Sequence, residues 1–313
     1  MKAIVFDRFG GPEVLRVTDL PDPTPDEGEV VVEVAAATVN PTDLLMRSGQ
    51  QAGLMTTQTP PYIAGMEFAG TVRAVGVGVP PRLQPGQPVM GIVNPRRPQG
   101  GAHARLVRAP AASVVALPPG IELVGAATVP MNGLTARMCL DALGATPGAR
   151  VLVTGGAGAV GAYVIALARE AGLHVVADAK DSDRDFLRAL GAAEIVPRGL
   201  GLASALQALQ PQGMDAVVDG ALLGDTAAAA LRDGGTFVSL RRTQVLADPR
   251  VRRVTIGVLE QAANTALLEG LVTAHAQGVL AARVAHRFAP AQAGQAHETL
   301  ERGGLRGRVV LVF

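Results

Sequence analysis

Cysteine, aromatic and charged residues are all scarce in this chain. One cysteine, Cys139, stands among 313 residues, so no internal disulfide forms and the cysteine sets of structural zinc sites are missing. The apolar run within residues 1–7 is too short for a signal peptide, and no later run reaches the roughly eighteen residues of a membrane-spanning helix. The sequence therefore predicts a cytoplasmic protein that does not enter a membrane.

Charge is low and balanced. Charged residues make up 18% of the chain and the formal net charge is +1, with basic residues clustered only in short pairs such as Arg96–Arg97 and Arg241–Arg242. This balance argues against nucleic acid as a partner. A hydrolase is also disfavoured, because no G-x-S-x-G nucleophile elbow occurs and Cys139 lies on an apolar helix as a buried, inert thiol.

What the chain does contain is enough apolar sequence, 48%, for the cores of two domains. The first third carries short β-rich runs separated by proline and glycine, which is typical of a compact β domain. After about residue 120, buried-type strands alternate with helical patterns, and this alternation predicts a parallel sheet with both faces covered. The predicted strands are 151–154, 175–177, 216–219 and 236–240, and the predicted helices are 160–170, 184–190 and 226–231.

A glycine-rich turn follows the strand at 151–154. Gly156, Gly158 and Gly161 satisfy G-x-G-x-x-G, in which the first glycine permits a tight turn, the second a close approach to a pyrophosphate, and the third close packing of helix and strand. The free N–H groups of the following helix favour a phosphate at that point, and a P-loop is excluded because Gly-Lys-Ser/Thr is missing. The predicted dinucleotide-binding residues of this turn are Gly155, Gly156, Gly158, Ala159, Val160 and Gly161.

Two residues compete to set the cofactor preference. Asp178 lies about twenty residues beyond the turn, at the end of the second strand, where an acidic residue reads the ribose of NAD. Lys180 is placed to pair with the 2′-phosphate of NADP instead. Ordinary loop charges remain an alternative for both.

Ordered matches along the whole chain now identify a family resemblance. They lie at residues 1–6, 10–15, 39–43, 65–70, 85–89, 100–104, 133–136, 151–161 and 306–311. With these segments the chain resembles the zinc-independent quinone oxidoreductase branch of the medium-chain dehydrogenase/reductase superfamily, of the zeta-crystallin type.

The resemblance implies an α/β protein of two domains. A GroES-like, β-rich catalytic domain would comprise residues 1–120 and 259–313, and a Rossmann domain with a doubly wound parallel sheet would comprise residues 121–258. It also implies a homodimer that uses NADPH, with NADH as the alternative, to reduce a small-molecule quinone or an activated alkene.

The same resemblance argues against a catalytic zinc. Zinc-dependent relatives carry Cys where this chain has Asn40 and His where it has Met66, and an amide and a thioether are poor zinc ligands. Glu67 alone would not retain the ion, and the five histidines show no metal-ligand spacing. Hydride delivery to an acceptor activated by conjugation is the chemistry that remains.

Site residues follow from the resemblance. Asn40 and Thr42 are the predicted hydrogen-bond donors toward the acceptor oxygen, with Asp43 as an orienting group, although a simple Asx-type turn around Pro41 explains the same residues. Related enoyl reductases have a tyrosine just after this motif, and none is present here. On the cofactor side, Thr135 is expected near the nicotinamide and Lys180 at the 2′-phosphate.

The matching also bears on the choice between the two cofactors. It places the ribose-reading acidic position of relatives on Ala179, so the alignment favours NADPH over NADH. Arg241 is a further candidate for contact with the cofactor, or else a solvated loop charge.

Two alternatives stay open for the function. An enoyl-thioester reductase of fatty-acid or polyketide metabolism would share the fold, cofactor and hydride step, and Arg96–Arg97 gives it slight support. A catalytically silent nucleotide-binding member of the family would keep the turn without the reaction.

Overall fold

The structure, a computed structural model, describes residues 1–241 and 246–313 and divides the chain into two units. One unit is Met1–Met131 together with Leu259–Phe313, and the other is Asn132–Val258. Within the described ranges, no helix has both the length and the apolarity needed to span a bilayer.

The first unit is dominated by β-strands, and element numbers follow the chain. Its strands are β1 (Lys2–Val5), β2 (Arg16–Asp19), β3 (Glu29–Val39), β4 (Glu67–Val75), β5 (Pro88–Ile92), β6 (Leu106–Pro110), β7 (Val114–Ala116), β14 (Val284–Phe288) and β15 (Arg308–Val312). Its helices are α1 (Pro41–Arg47), α2 (Leu123–Ala126), α8 (Thr265–Ala276) and α9 (Ala293–Arg302), and α3 (Pro130–Leu143) begins at its edge.

The long strand β3 is central to the sheet of this unit. The sheet order is β14-β15-β3-β4-β5-β7, with β6 also on β3, and a separate hairpin joins β1 to β2. The sequence of β3, Glu-Val-Val-Val-Glu-Val-Ala-Ala-Ala-Thr-Val, is rich in β-branched residues, which fit a pleated, half-buried surface. Val30, Val32 and Val34 on one face share a buried core with Phe68 of β4.

The second unit alternates strands and helices. It contains β8 (Arg150–Thr154), α4 (Ala159–Glu170), β9 (His174–Ala179), α5 (Arg184–Leu190), β10 (Glu194–Pro197), α6 (Leu202–Leu209), β11 (Met214–Asp219), α7 (Asp225–Ala228), β12 (Leu231–Ser239) and β13 (Arg252–Thr255). The sheet order is β10-β9-β8-β11-β12-β13 and every pair is parallel. The predicted α/β class and parallel sheet are confirmed.

From β8 the chain adds β9 and β10 on one side of the sheet and β11, β12 and β13 on the other, so the topological switch point lies between β8 and β11. In open parallel sheets, ligands bind outside the carboxyl ends of the strands at such a switch point. Here the Thr154 hydroxyl at the end of β8 donates to Asp219 at the end of β11, over 2.6 Å. The glycine-rich turn leaves β8 at this edge.

Two sequence-based boundaries differ from the structure. The first unit extends to Met131 rather than residue 120, because α2 packs against β3, β4 and β5. The helix expected at 226–231 ends at Ala228, and β12 already begins at Leu231, which is buried in the sheet core.

Candidate functional site

Strand register in the first unit brings four distant residues together. Ala37 pairs with Phe68 and Val39 pairs with Val309 in antiparallel ladders, so the next positions set Thr38 opposite Glu67 and Asn40 opposite Arg308. All four side chains are buried. The cluster therefore joins β3, β4 and β15 at the point where α1 begins.

The ion pair of Glu67 and Arg308 is the centre of this cluster. Arg308 Nη2 lies 2.6 Å from Glu67 Oε1, 2.7 Å from Asn40 Oδ1 and 2.9 Å from Thr38 Oγ1. The Thr38 hydroxyl donates to the same Glu67 oxygen over 2.5 Å, and the second oxygen accepts the Met131 backbone N–H over 2.7 Å. Both charges are thus satisfied, as burial requires.

The Asn40 amide is engaged on both sides. Its oxygen faces Arg308, which is a donor only, so the amide nitrogen must point the other way, toward Thr38 and Glu67 at 3.0 and 3.2 Å. Asn40 is 1% exposed. This arrangement favours a positioning role for Asn40 over direct donation to an acceptor molecule.

Asp43 lies inside α1 with no exposed surface. One carboxylate oxygen accepts the Asn40 N–H over 2.7 Å and the other accepts the Gly65 N–H over 2.9 Å. Burial raises the pKa of Asp43, while His103 and the two N–H donors act in the opposite direction. The carboxylate ties the start of α1 to the loop before β4, and so orients the segment that carries Thr42.

Of the three predicted catalytic residues, Thr42 has the side chain with the weakest hydrogen bond. It is partly exposed, and its Oγ1 donates to the Met66 sulfur over 3.1 Å. A thioether is a weak acceptor. The hydroxyl can therefore turn to a better acceptor, such as a carbonyl oxygen, at small cost.

This cluster does not fit a catalytic zinc. Asn40 and Met66 place an amide and a thioether where the resemblance implies a thiolate and an imidazole in zinc-dependent relatives, and Glu67 is already bound by Arg308. In residues 1–241 and 246–313 no group of three His, Cys, Asp or Glu side chains is arranged to hold a metal ion.

Two buried histidines, His103 and His297, lie near the cluster with their ring centroids 6.1 Å apart. His103 Nε2 lies 2.9 Å from the Thr38 carbonyl, and His297 Nδ1 lies 3.3 Å from Arg47, which pairs with the partly exposed Glu301. A carbonyl only accepts and a guanidinium only donates, so His103 is protonated on Nε2 and His297 on Nε2 as well. Among the described residues, His103 Nδ1 and His297 Nε2 have no hydrogen-bond partner.

In the second unit, the glycine-rich turn has a conformation that its glycines explain. Gly155 has a φ of 68°, a left-handed conformation that glycine adopts without strain. A Cβ on Gly161 would lie 2.4 Å from the Gly155 carbonyl oxygen, whereas one on Gly158 would meet only that oxygen, at 3.1 Å. Gly161 thus serves packing, and Gly158 leaves open space beside the turn.

The helix α4 begins directly after this turn. Gly158 is its N-cap, and Ala159, Val160 and Gly161 form its first turn. Among the residues that the structure describes, no side chain or carbonyl accepts from these three N–H groups. Free N–H groups and the positive end of the helix dipole favour an anion there.

Asp178 supports the turn from below. Its carboxylate accepts the Gly155 N–H over 2.6 Å and pairs with Arg198 over 2.8 Å, and the side chain has no exposed surface. The backbone N–H of Arg198 also donates to the Ala179 carbonyl, beside the exposed Lys180. Two cations, Lys180 and Arg198, therefore flank the end of β9.

The remaining cofactor candidates lie on other elements of the unit. Arg241 is exposed just after β12, and its backbone exchanges hydrogen bonds with the Ser239 hydroxyl. Thr135 lies on α3 and is 8% exposed. Asn132, one turn earlier on the same face, is 4% exposed, and its Nδ2 has no partner among the described residues.

Sequence reasoning missed Arg198, Arg308 and Asn132. Arg308 lies in a segment already matched to the family, but its partners follow only from strand register. Arg198 follows a short strand, β10, that the apolar pattern did not predict. No sequence pattern identifies Asn132, whose unpaired amide appears only in the structure.

Removing the charge of Glu67 should destabilise the first unit. In Glu67→Gln the buried Arg308 guanidinium loses its counterion, and we expect the free energy of unfolding to fall by about 3–5 kcal/mol. Denaturant unfolding followed by circular dichroism measures this. Glu33→Gln, which removes the carboxylate from the exposed pair with Arg105, is the matched control and should cost about 1 kcal/mol or less; equal losses would contradict the assignment.

Stability should depend on pH through His297. Burial, then His103, then Arg47, lower the pKa of His297 well below its ordinary 6.5. The unfolded chain therefore binds more protons than the folded one as the pH falls below 6.5, and stability is lost over that window at up to about 1.4 kcal/mol per pH unit. Above pH 6.5 His297 is neutral in both the folded and the unfolded chain, so this loss of stability does not occur.

The variant His297→Gln should flatten this acid limb. A glutamine keeps an acceptor for Arg47 but does not titrate, so the melting temperature should fall less between pH 7 and pH 5 than in the parent. His286→Gln, at an exposed position of β14, should keep the parental slope. An unchanged slope in His297→Gln would rule out the buried ring as its source.

Comparison with known proteins agrees with both units. The alcohol dehydrogenase GroES-like domain model matches residues 26–119, and the zinc-binding dehydrogenase model matches residues 190–311. The structure of the quinone oxidoreductase from Coxiella burnetii is 30% identical, with a TM-score of 0.89 and coverage of 100% of this chain and 99% of that one. A mycobacterial protein solved in complex with NADPH is 28% identical, with a TM-score of 0.85 and full coverage of both chains.

Curated relatives include both quinone oxidoreductases and enoyl reductases. A probable acrylyl-CoA reductase of Escherichia coli is 32% identical over 207 residues, which cover 63% of this chain and 61% of that protein. For plant quinone oxidoreductases and their homologues, the matched segments cover 64% to 67% of the relatives' length. The chain belongs to the medium-chain dehydrogenase/reductase superfamily and, within it, to the quinone oxidoreductase branch.

Proposed function

We propose that the protein is an NADPH-dependent reductase that delivers hydride to a quinone or an enone without a metal ion. The observation that carries the proposal is the edge of the second unit's sheet, where the first-turn N–H groups of α4 are free and Asp178 links the glycine-rich turn to Arg198. Similarity to quinone oxidoreductases, and to a protein solved with NADPH, supports it. We further propose a homodimer, as the family resemblance implies, and a cytoplasmic location, with which the single cysteine agrees.

The preference for NADPH over NADH follows from charge. An acidic side chain that reads an adenosine ribose must accept from its hydroxyl groups, but Asp178 is buried and already accepts from Gly155 and Arg198. Ala179 carries no charge. Lys180 supplies an exposed cation, and the guanidinium of Arg198, although paired with Asp178 through Nε, is partly exposed and of a type that binds phosphate oxygens well.

In the proposed reaction the cofactor and the residues of the first unit have separate roles. The bound cofactor supplies the hydride. Thr42 donates a hydrogen bond to the acceptor oxygen as negative charge develops there, while Asn40 and Asp43 hold the segment in place. An enone gains hydride at its β-carbon and a proton from water at its α-carbon, and a quinone becomes the hydroquinone.

A second candidate, an enoyl-thioester reductase, uses the same cofactor and hydride step. The similarity to a probable acrylyl-CoA reductase favours it. Its acceptor would carry a phosphate-bearing tail that simple quinones lack.

Activity is tested by mixing the protein with NADPH and a panel of quinones, enones and enoyl thioesters. We expect oxidation of the reduced nicotinamide, with deuterium from labelled NADPH found at the β-carbon of the reduced enone. Addition of a chelator and of zinc should leave the rate unchanged. If no acceptor oxidises NADPH above background, the protein is a catalytically silent nucleotide-binding member of the family.

Cofactor choice is tested with Lys180→Gln. The loss of one cation from the 2′-phosphate should weaken NADPH binding by about ten-fold and leave NADH binding nearly unchanged. Calorimetric titration of both cofactors measures this, with the exposed Arg188→Gln of α5 as the matched control. A parallel loss for both cofactors would refute contact with the 2′-phosphate.

A further inference from the structure

Asn132 carries a buried side-chain amide whose nitrogen is unpaired in the part of the chain that the structure describes. It is the third residue of α3 and is 4% exposed. In residues 1–241 and 246–313 its Nδ2 has no hydrogen-bond partner, although the amide nitrogen carries two N–H donors. Buried donors in folded proteins are almost always paired, so an unpaired one calls for an explanation such as a ligand.

The C-terminal end of α3 lies at the amino edge of the second unit's sheet. Six residues, 144–149, connect its last residue, Leu143, to the start of β8. Arg252, the first residue of β13, donates through Nη2 to the Ala142 carbonyl over 2.5 Å. The starts of two parallel strands therefore hold the same end of the helix.

The N-terminal end of α3 lies at the opposite, carboxyl edge of this sheet. A helix that a short loop joins to the start of a parallel strand runs back along the sheet, antiparallel to that strand. The 14 residues of α3 span about 20 Å, which is close to the length of strands such as β8 and β11. Asn132 is therefore carried to the edge where β8 ends and the glycine-rich turn begins.

Along this edge, Asn132 belongs to the half of the sheet that does not carry Lys180. A dinucleotide straddles the switch point, with one nucleoside over each half of the sheet. Lys180 and Arg198, the proposed contacts of the 2′-phosphate, follow β9 and β10, so the adenosine takes that half. The nicotinamide nucleoside then lies over β11, β12 and β13, the half to which Arg252 attaches α3.

We propose that Asn132 binds the nicotinamide ring of the cofactor, with an Nδ2 N–H donating to the carboxamide oxygen. This inference rests on the proposed function, because it requires a nicotinamide cofactor at the glycine-rich turn. The hydrogen bond pairs a buried donor that the fold leaves unpaired. It also holds one rotation of the ring about its bond to the ribose, and so selects the face of C4 that is turned toward the acceptor.

The test compares three ligands that differ only at the nicotinamide end. NADP⁺ carries the carboxamide oxygen, and thionicotinamide adenine dinucleotide phosphate has sulfur in its place, which is a weaker acceptor. The third ligand, 2′-phospho-ADP-ribose, lacks the ring. Calorimetric titration gives the dissociation constant of each ligand for the parent protein and for the variants, and no measurement requires turnover.

We expect the parent to bind NADP⁺ about five- to ten-fold more tightly than the sulfur analogue, the worth of one hydrogen bond. Asn132→Ala should weaken NADP⁺ binding by the same factor, abolish the difference between oxygen and sulfur, and leave 2′-phospho-ADP-ribose unchanged. Asn132→Leu keeps the size of the side chain and should give the same result, which covers the case that the alanine variant does not fold. Asn94→Ala, at an exposed asparagine of the first unit, is the matched control and should keep all three parental affinities.

Two results would overturn the contact with the carboxamide. One is equal affinity of the parent for the oxygen and sulfur ligands. The other is a loss of affinity in the Asn132 variants that 2′-phospho-ADP-ribose shares, because such a loss reports damage to the fold. If both variants keep the parental affinities while the KM of the acceptor rises, the amide binds the acceptor and the inference is wrong.

The same titrations separate this contact from the proposed function. If the parent binds none of the three ligands, the proposed cofactor is wrong, and the contact with it. If NADP⁺ binding depends on Asn132 as expected but no acceptor oxidises NADPH, the contact stands and the proposed reaction alone is refuted.

Discussion

A buried ion pair, Glu67 with Arg308, is the constraint on which the first unit depends. The strand β15, near the end of the chain, supplies the cation, and β4 supplies the anion. Thr38 of β3, Asn40 at the start of α1 and the Met131 N–H of α3 complete its hydrogen bonds. Buried charge tolerates few other geometries, since each lost partner exposes a large desolvation penalty. The pair therefore fixes the start of α1, and with it the place of Thr42.

This arrangement explains why the polar residues of the cluster do not suit a metal ion. In zinc-dependent members of the superfamily, the corresponding positions supply ligands to the ion. Here the same region holds a guanidinium that satisfies Glu67 internally and engages the Asn40 amide. Of the predicted catalytic residues, Thr42 keeps a weakly bound hydroxyl, which donates to a thioether sulfur. Such groups suit an acceptor that is already activated and needs orientation more than polarisation.

Elements with a clear apolar pattern in their own sequence were predicted correctly. The buried runs of β8, β9 and β11 and the helix α5 lie where the apolar spacing placed them, because strands covered on both faces are apolar throughout. The short strand β10 escaped, since Glu194 and Ile195 are only partly buried and no apolar run marks it. The glycine turn was recognised from its spacing, but which of its residues is left-handed, Gly155, is known only from the structure.

Contacts between distant residues were beyond any local pattern. The predicted donor Asn40 is turned inward by Arg308, which lies far along the chain and is brought opposite by strand pairing. For Asp178 the sequence left open a contact with a ribose or an ordinary loop charge, and the structure shows a buried carboxylate that accepts from Gly155 and Arg198. In both cases the residue type and position were informative, while the direction of the side chain depended on tertiary partners.

The carboxylate of Asp178 has a consequence for how cofactor preference can change. It stabilises the turn through Gly155 and also neutralises Arg198, so recognition of the adenosine end and integrity of the sheet edge share one group. Exchanging Arg198 to accommodate the dephosphorylated nucleotide would strand a buried negative charge. If the protein prefers NADPH, as proposed, an evolutionary path toward NADH would have to alter both positions together.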